Sequence, residues 1–297
     1  MTNTKTMLSW KNYLELCKPK VVILIMFTAI VGMLLAVPGI PPMDNFIFGI
    51  VGIGLASSSA AAINHFFDQK ADAEMLRTKN RPLPMGDLNA KNVLIFAMTL
   101  GVLAMLILIV WVNILTAVLT FLSLIGYAVV YTIYLKHMTP QNIVIGGAAG
   151  AAPPVLGWCA ITGEVHPFAL LLFLIIFVWT PPHFWALAVA KREEYAKAQI
   201  PMLPVTHGAK FTRLQILLYT VLLFIVTLLP YLTGMSGFIY LGTALVLGIM
   251  FIYYAIQMMR SEDDKLAMKT FFFSINYLMI LFAALLLDHY VPLSFLS

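Results

Sequence analysis

The stretch Phe46-Ile-Phe-Gly-Ile-Val-Gly-Ile-Gly-Leu-Ala-Ser-Ser-Ser-Ala-Ala-Ala-Ile-Asn64 carries no charge. It passes directly into His65-Phe-Phe-Asp68-Gln-Lys-Ala-Asp72 and then Arg77-Thr-Lys79-Asn-Arg81-Pro82. At about 1.5 Å of rise per residue, a helix of this length crosses a hydrocarbon core roughly 30 Å thick. Asn64, Asp68 and Asp72 stand at i, i+4 and i+8, so a helix continued through them projects all three from one face. The chain therefore offers a membrane span whose end carries hard oxygen groups, followed within nine residues of Asp72 by three cations.

The rest of the chain repeats the apolar half of this pattern. Hydrophobic residues make up 61% and charged residues 10% of the 297, against roughly 45–50% and 25% in soluble domains. The reading is an all-α polytopic membrane protein, a bundle of nine transmembrane helices with an active-site cavity open to the cytoplasmic face. Spans are expected near 21–37, 46–64, 93–111, 114–134, 142–161, 167–190, 212–233, 238–258 and 270–288, and residues 1–297 form a single domain with no room for a separate soluble one. The run from Val93 to Leu135 would measure about 60 Å as one helix, twice the core thickness, so it must turn. Asn113 is the expected turn residue.

Charge by loop tests that assignment, because cytoplasmic loops carry the Lys/Arg excess. The N-terminal segment and the regions after spans two, four, six and eight hold all 18 basic residues and ten of the 13 acidic ones. Only Asp44, Glu164 and Asp288 lie on the other side. The N-terminus is therefore expected in the cytoplasm and the C-terminus outside, in a bacterial inner membrane or its organellar equivalent. No cleaved signal peptide is expected, because Pro38-Gly-Ile-Pro-Pro42 follows the first apolar run without a small-residue cleavage site. Cys17 and Cys159 fall on opposite sides, too far apart to pair, and neither has metal-type spacing.

Two carboxylates and an amide on one helical face suit Mg²⁺, which takes one or two carboxylates, several waters and substrate phosphate oxygens. Asn64, Asp68 and Asp72 are thus candidate metal ligands at a depth where ionisable groups are costly and usually functional. Arg77, Lys79 and Arg81 are candidate phosphate ligands, since guanidinium forks match phosphate oxygens. The plainer reading of these cations is topology and contact with anionic lipid.

A second polar cluster runs Trp179-Thr-Pro-Pro-His183-Phe-Trp185, then Lys191-Arg192-Glu193-Glu194-Tyr195, then Ile200-Pro-Met-Leu-Pro-Val205. Adjacent prolines inside a span are expected to kink or open it. His183 is either a haem-iron ligand or a helix-to-helix hydrogen bond of the kind membrane bundles use. Lys136 follows Tyr127, Tyr131 and Tyr134, whose faces are interface belt, core, or a stabiliser of an allylic cation. Gly146-Gly-Ala-Ala-Gly150-Ala-Ala-Pro-Pro154 reads as close helix packing or as room for a flat ligand.

With these motifs quoted, the chain resembles the haem O synthase branch of the UbiA superfamily of intramembrane prenyltransferases over nearly its whole length. Asn64-x3-Asp68-x3-Asp72 with Arg77-Thr-Lys79-Asn-Arg81-Pro marks the superfamily. Gly150-Ala-Ala-Pro-Pro154, Trp179-Thr-Pro-Pro-His183 and Tyr195 with Ile200-Pro-Met-Leu-Pro-Val205 mark the haem branch. The resemblance implies Mg²⁺-dependent transfer of farnesyl from farnesyl diphosphate to a vinyl group of haem b, with addition of water. It implies catalytic roles for Asn64, Asp68, Asp72, Lys191 and Tyr195, and diphosphate contacts from Arg77, Lys79, Arg81, Lys191 and Arg192. It further implies an acceptor pocket near His183, Trp179, Tyr131 and Lys136, with haem propionates at Lys136 or Arg192. Other superfamily members carry a second aspartate pair after span six, where this chain has Lys191 and Tyr195 with Glu194 beside them. Either Glu193 or Glu194 replaces an aspartate as a metal ligand, or one Mg²⁺ acts with Lys191 and Arg192 neutralising the other phosphate.

Membrane lipid is an implied partner, a haem A synthase or a terminal oxidase is the implied recipient of product, and nucleic acid is not expected. Two rival classes are separable. A secondary transporter should place its site near the bilayer midplane, whereas these charges gather at one face. A quinone-precursor or chlorophyll-type acceptor would keep the metal motif, and the Trp-Thr-Pro-Pro-His segment argues against it.

Overall fold

The computed structural model describes residues 10–261 and 263–291, and among these it contains helices and turns with no strand. Lys5 and the last six residues, to which the charge pattern gave an inner and an outer location, lie outside the described residues.

Helices α1 (Trp10–Leu16) and α2 (Pro19–Leu35) meet at a 50° bend. They are followed by α3 (Met43–Glu74), α4 (Ala90–Trp111) and α5 (Ile114–Ile125), which runs on through a π-helical segment, Gly126–Leu135, into the short α6 (Lys136–Met138). One span is divided into α7 (Asn142–Ala151) and α8 (Pro153–Thr162), and α9 (Pro167–Ala190) is the next. The second long inner loop holds the short α10 (Arg192–Lys197) and α11 (Leu203–Thr206). The chain finishes with α12 (Gly208–Val226), α13 (Leu229–Leu232), α14 (Phe238–Arg260) and α15 (Asp264–Tyr290). Among the described residues eight helices are long and apolar enough to cross a membrane, or nine if the bent pair α1 and α2 counts as one span.

Local chemistry sets the boundaries. Asn113 makes the turn expected of it, because its side chain accepts from Thr116 N at 2.8 Å and donates to the Cys159 carbonyl at 2.9 Å. Asn89 and Asp263 cap α4 and α15 by accepting from the amides two residues on, each satisfying a donor that a helix start leaves free. One expected boundary moves. The second span does not stop at Asn64, and α3 continues to Glu74, which carries Asn64, Asp68 and Asp72 on a single rigid element.

The expected opening at Pro181-Pro182 is also absent, since α9 is helical from Pro167 to Ala190. The prolines remove the amides that would reach the Phe177 and Val178 carbonyls, yet α9 continues through them, packed by its neighbours. It packs against α7, α8, α12 and α15 at the centre of the bundle. On one side of this centre α2 and α8 cross with almost no gap. A Cβ on Gly32 would overlap the Pro154 carbonyl, and one on Gly157 would overlap the Ala29 carbonyl. Glycine is required at both because backbone lies against backbone. The Gly146-to-Gly150 stretch is mostly filled: Gly146 lies under the Tyr131 ring and Gly147 under Thr180, while Gly150 faces open space.

Candidate active site

At the inner end of α3 the three expected metal ligands are buried on one face, and Asn64 bonds directly to Asp68. Asn64, Asp68 and Asp72 are 4%, 5% and 4% exposed. Asn64 Nδ2 donates to Asp68 Oδ2 at 2.9 Å and to Thr132 Oγ1 at 3.1 Å. Each member also holds a cation. Lys18 Nζ donates to Asn64 Oδ1 at 2.5 Å, Lys136 Nζ pairs with Asp68 Oδ1 at 2.6 Å, and Arg81 Nη1 pairs with Asp72 Oδ2 at 2.6 Å. Buried carboxylates are tolerated only when paired and hydrogen-bonded, and here each has its own ammonium or guanidinium.

Four segments bring these groups together. Lys18 stands in the left-handed region at φ 49°, immediately before Pro19, a conformation uncommon outside glycine. It sits in the bend between α1 and α2, with its ammonium on α3. Thr132 and Lys136 arrive from the π-helical segment, where the wider i→i+5 turn shows in the bonds from Thr132 Oγ1 to the Tyr127 carbonyl and from Lys136 N to the Tyr131 carbonyl. Such segments are frequent at functional sites because they shift the phase of the side chains beyond them. The tyrosine stripe read as an α-helical face is therefore re-phased. Tyr127 and Tyr131 stack at 5.5 Å, and the more exposed Tyr134 points elsewhere. Arg81 is held by the loop after α3, where Thr78 Oγ1 donates to the Asp72 carbonyl at 3.0 Å.

The two long inner loops meet. Met75 joins a buried apolar cluster with Trp185, Tyr195, Ile200, Met202 and Leu203. Tyr195, which lies outside the spans, is thereby buried, and burial pushes its phenol above the usual range, with Glu194 adding to the shift and Arg77 and Arg81 opposing it. Its hydroxyl is a neutral donor at physiological pH.

Several sequence assignments change in this geometry. Lys136, expected near the haem propionates, is paired with Asp68. Arg192 pairs with Asp264 across the inner surface at 3.0 Å, away from the aspartates of α3. Lys191 and Glu194 pair with each other at 2.9 Å, and Glu194 Oε2 is buried without a partner. Among the described residues no group of three or more His, Cys, Asp or Glu is placed to hold a metal, so Glu194 does not extend the Asp68 and Asp72 pair. Arg77 and Lys79 are exposed and carry no ion pair with a described residue.

His183 and Trp179 are tied into a helix-to-helix contact. The Trp179 indole donates to the Ser274 carbonyl at 2.8 Å, and His183 Nδ1 lies 2.6 Å from Ser274 Oγ, which itself donates to the Phe271 carbonyl. The imidazole is stacked between Trp179 and Phe271 at 4.2 and 4.5 Å. Since Ser274 has one proton and spends it on Phe271, Nδ1 is assigned as the donor. Both residues pin α9 to α15, which is the plainer of the two sequence readings.

Sequence reasoning missed Lys18, Thr132 and His65. The only available signal for Lys18 was the Lys-Pro step at the mouth of the first span. Nothing in sequence spacing pointed to Thr132, because its approach depends on the π-helical phase.

The donor set fits Mg²⁺. An amide oxygen and two carboxylates are hard ligands on one face, too few alone, and they leave positions for water and phosphate oxygens. A buried carboxylate pair set among cations at the inner end of a helical membrane bundle is the arrangement an intramembrane prenyltransferase needs, and the family model for the UbiA prenyltransferases matches residues 25–277. The chain belongs to the UbiA prenyltransferase family. This UbiA member is 66% identical over 286 residues to a protein named protoheme IX farnesyltransferase from Methylococcus capsulatus, covering 96% of each chain. It is 61% identical over 284 residues to one of the same name from Nitrosococcus oceani, covering 96% of this chain and 95% of the other. Its fold matches that of a digeranylgeranylglyceryl phosphate synthase with TM-score 0.79 at 21% identity, over 94% of this chain and 98% of that one. It also matches a UbiA homologue from Archaeoglobus fulgidus bound to DMAPP and Mg²⁺, with TM-score 0.62 at 16% identity, over 92% and 99%.

Proposed function

We propose that this UbiA-family chain transfers a farnesyl group from farnesyl diphosphate to a vinyl group of haem b, with addition of water, giving haem O and diphosphate. The single observation that carries the chemistry is the Asn64, Asp68, Asp72 set with Lys18, Arg81 and Lys136 on its oxygens. The choice of acceptor rests on the haem-branch motifs and on relatives at 66% and 61% identity that carry the corresponding name.

Asn64, Asp68 and Asp72 would hold Mg²⁺, which when bound supplies Lewis-acid neutralisation of the diphosphate. Lys18, Arg81 and Lys136 are long side chains that reach the same small volume, and they neutralise charge that grows on the leaving group as the C1–O bond breaks. Arg77, Lys79 and Lys191 add positive charge from the two inner loops. The bonding pair leaves with diphosphate, the vinyl π pair forms the new carbon–carbon bond to C1, and water captures the resulting cation next to the porphyrin with loss of a proton. Bonding to carbon asks for no protein nucleophile. The stacked Tyr127 and Tyr131 offer ring faces to an allylic cation, and burial of the aspartates keeps bulk water from competing. The enzyme acts in the bacterial inner membrane with its basic face and N-terminus in the cytoplasm, and passes product to a haem A synthase or a terminal oxidase.

The test is the mass of the product formed when protein in liposomes receives Mg²⁺, farnesyl diphosphate and reduced haem b. A farnesylated, hydrated haem that is absent with Asp68→Ala is expected. Prenylated 4-hydroxybenzoate formed instead would keep the mechanism and overturn the acceptor.

A further inference from the structure

Beside the aspartates lies a groove of about 390 Å³ that no step of the reaction has used. It runs between α1, the start of α2 and the inner end of α3, and Lys11, Lys18, Lys20 and Arg81 line it against a single carboxylate, Glu15. Leu14 and Val21 add apolar wall. His65 closes the inner side. It is 2% exposed and neither ring nitrogen has a partner among the described residues. A neutral imidazole carries one donor and one acceptor, and leaving both unmade in a buried site is costly unless something outside the chain completes them.

Lys11 and Lys20 make no ion pair with a described residue, and with Lys18 and Arg81 they set four cations around the one carboxylate of the groove. Lys18 and Arg81 are shared, for each lines the groove and also touches the metal-ligand set, through Asn64 and Asp72 respectively. An anion bound here is fixed relative to the reacting centre, which a general lipid-facing patch does not require.

Resting on the reading above that the acceptor is a porphyrin bearing two carboxylate side chains, we propose that this groove is the oxyanion site that holds those carboxylates. Lys11 and Lys20 at the rim and His65 at the base grip the acidic edge of the acceptor. The apolar wall receives part of the ring, and the vinyl edge is left to face Asp68 and Asp72. Phosphate of an anionic lipid headgroup presents similar chemistry, and the experiment separates the two sources.

The experiment titrates haem b and haem b dimethyl ester into the protein in phosphatidylcholine nanodiscs, without farnesyl diphosphate, and reads binding from the Soret shift. Charge-assisted contacts at a partly exposed site predict about tenfold weaker binding of the diester to the unaltered protein. The double variant Lys11→Gln/Lys20→Gln, whose exposed positions do not threaten the fold, should bind the free acid as weakly as the diester, with KM for farnesyl diphosphate unchanged. His65→Phe should also weaken the free acid selectively, and His65→Asn, which restores a donor and an acceptor, should recover part of the loss. Equal affinity for acid and diester in the unaltered protein would overturn the proposal. So would a double variant that loses binding of phosphatidylglycerol, added to the discs, while keeping the acid-to-diester ratio. Equal turnover of both porphyrins with farnesylated product formed sinks only this site, whereas no product from either porphyrin sinks the reading of the reaction on which it rests.

Discussion

Both ends of the bundle bury carboxylates, and they satisfy them differently. At the outer end Asp288, 9% exposed on α15, accepts from Ser236 Oγ at 2.7 Å, from Ile239 N at 3.0 Å and from Gly237 N. These donors lie at the start of α14, so a side chain of one helix caps the next, largely with backbone groups that cannot move away. At the inner end Asp68 and Asp72 are satisfied by the tips of Lys136 and Arg81, with Lys18 on Asn64. Long side chains can rotate off their partner and bind something else. The outer carboxylate is consequently structural and the inner pair exchangeable, although nothing in burial alone separates them.

The largest expected break in this comparison is Asp68→Ala, which should lower haem farnesylation by about a thousandfold while the protein still elutes as a folded species, as loss of a principal electrostatic element does. Next, Lys136→Gln should raise KM for farnesyl diphosphate by about tenfold, the scale of one charge-assisted contact. A gain in affinity for the diphosphate would show that Lys136 serves only to neutralise Asp68. The outer end should behave in the opposite sense. Asp288→Asn should destabilise the protein by about 2 kcal/mol, through loss of hydrogen bonds to a charged acceptor, with kcat unchanged in detergent at temperatures well below the lowered Tm. Gly157→Ala should cost about 1–3 kcal/mol through overpacking against the Ala29 carbonyl, again read as Tm with turnover preserved. The smallest effect belongs to Arg192→Gln. Its pair with Asp264 is 40% and 46% exposed, so stability should move by no more than about 0.5 kcal/mol and KM for farnesyl diphosphate by less than about twofold. A tenfold rise would restore Arg192 to the diphosphate site.

The bundle was legible because its signals are local and repeated. Apolar runs have a fixed length, Asn113 caps the helix it precedes, and the i, i+4, i+8 spacing of Asn64, Asp68 and Asp72 needs only that α3 continue. Partner choice was not legible. Lys136 and Arg192 look alike in sequence, each a cation beside a span, yet one reaches Asp68 and the other Asp264. Lys18 is 46 residues from Asn64, and its reach depends on a left-handed residue before a proline. The absence of an opening at the prolines of α9 was not legible for a related reason. Lost amides predict an opening, while a helix packed among four neighbours stays continuous.

The π-helical segment has a consequence for how this chain tolerates change in length. The i→i+5 bonding of Gly126–Leu135 spreads each turn over more residues than an α-helix does, and each residue of a regular helix turns the next by about 100°. Removing a single residue there would expose no apolar surface, and the span would still cross the membrane. Every side chain beyond the deletion would nevertheless rotate by roughly that angle, carrying Lys136 off Asp68. The segment thus works as a phase setter, and an edit that hydropathy would score as silent decides whether the inner end of the protein has chemistry at all.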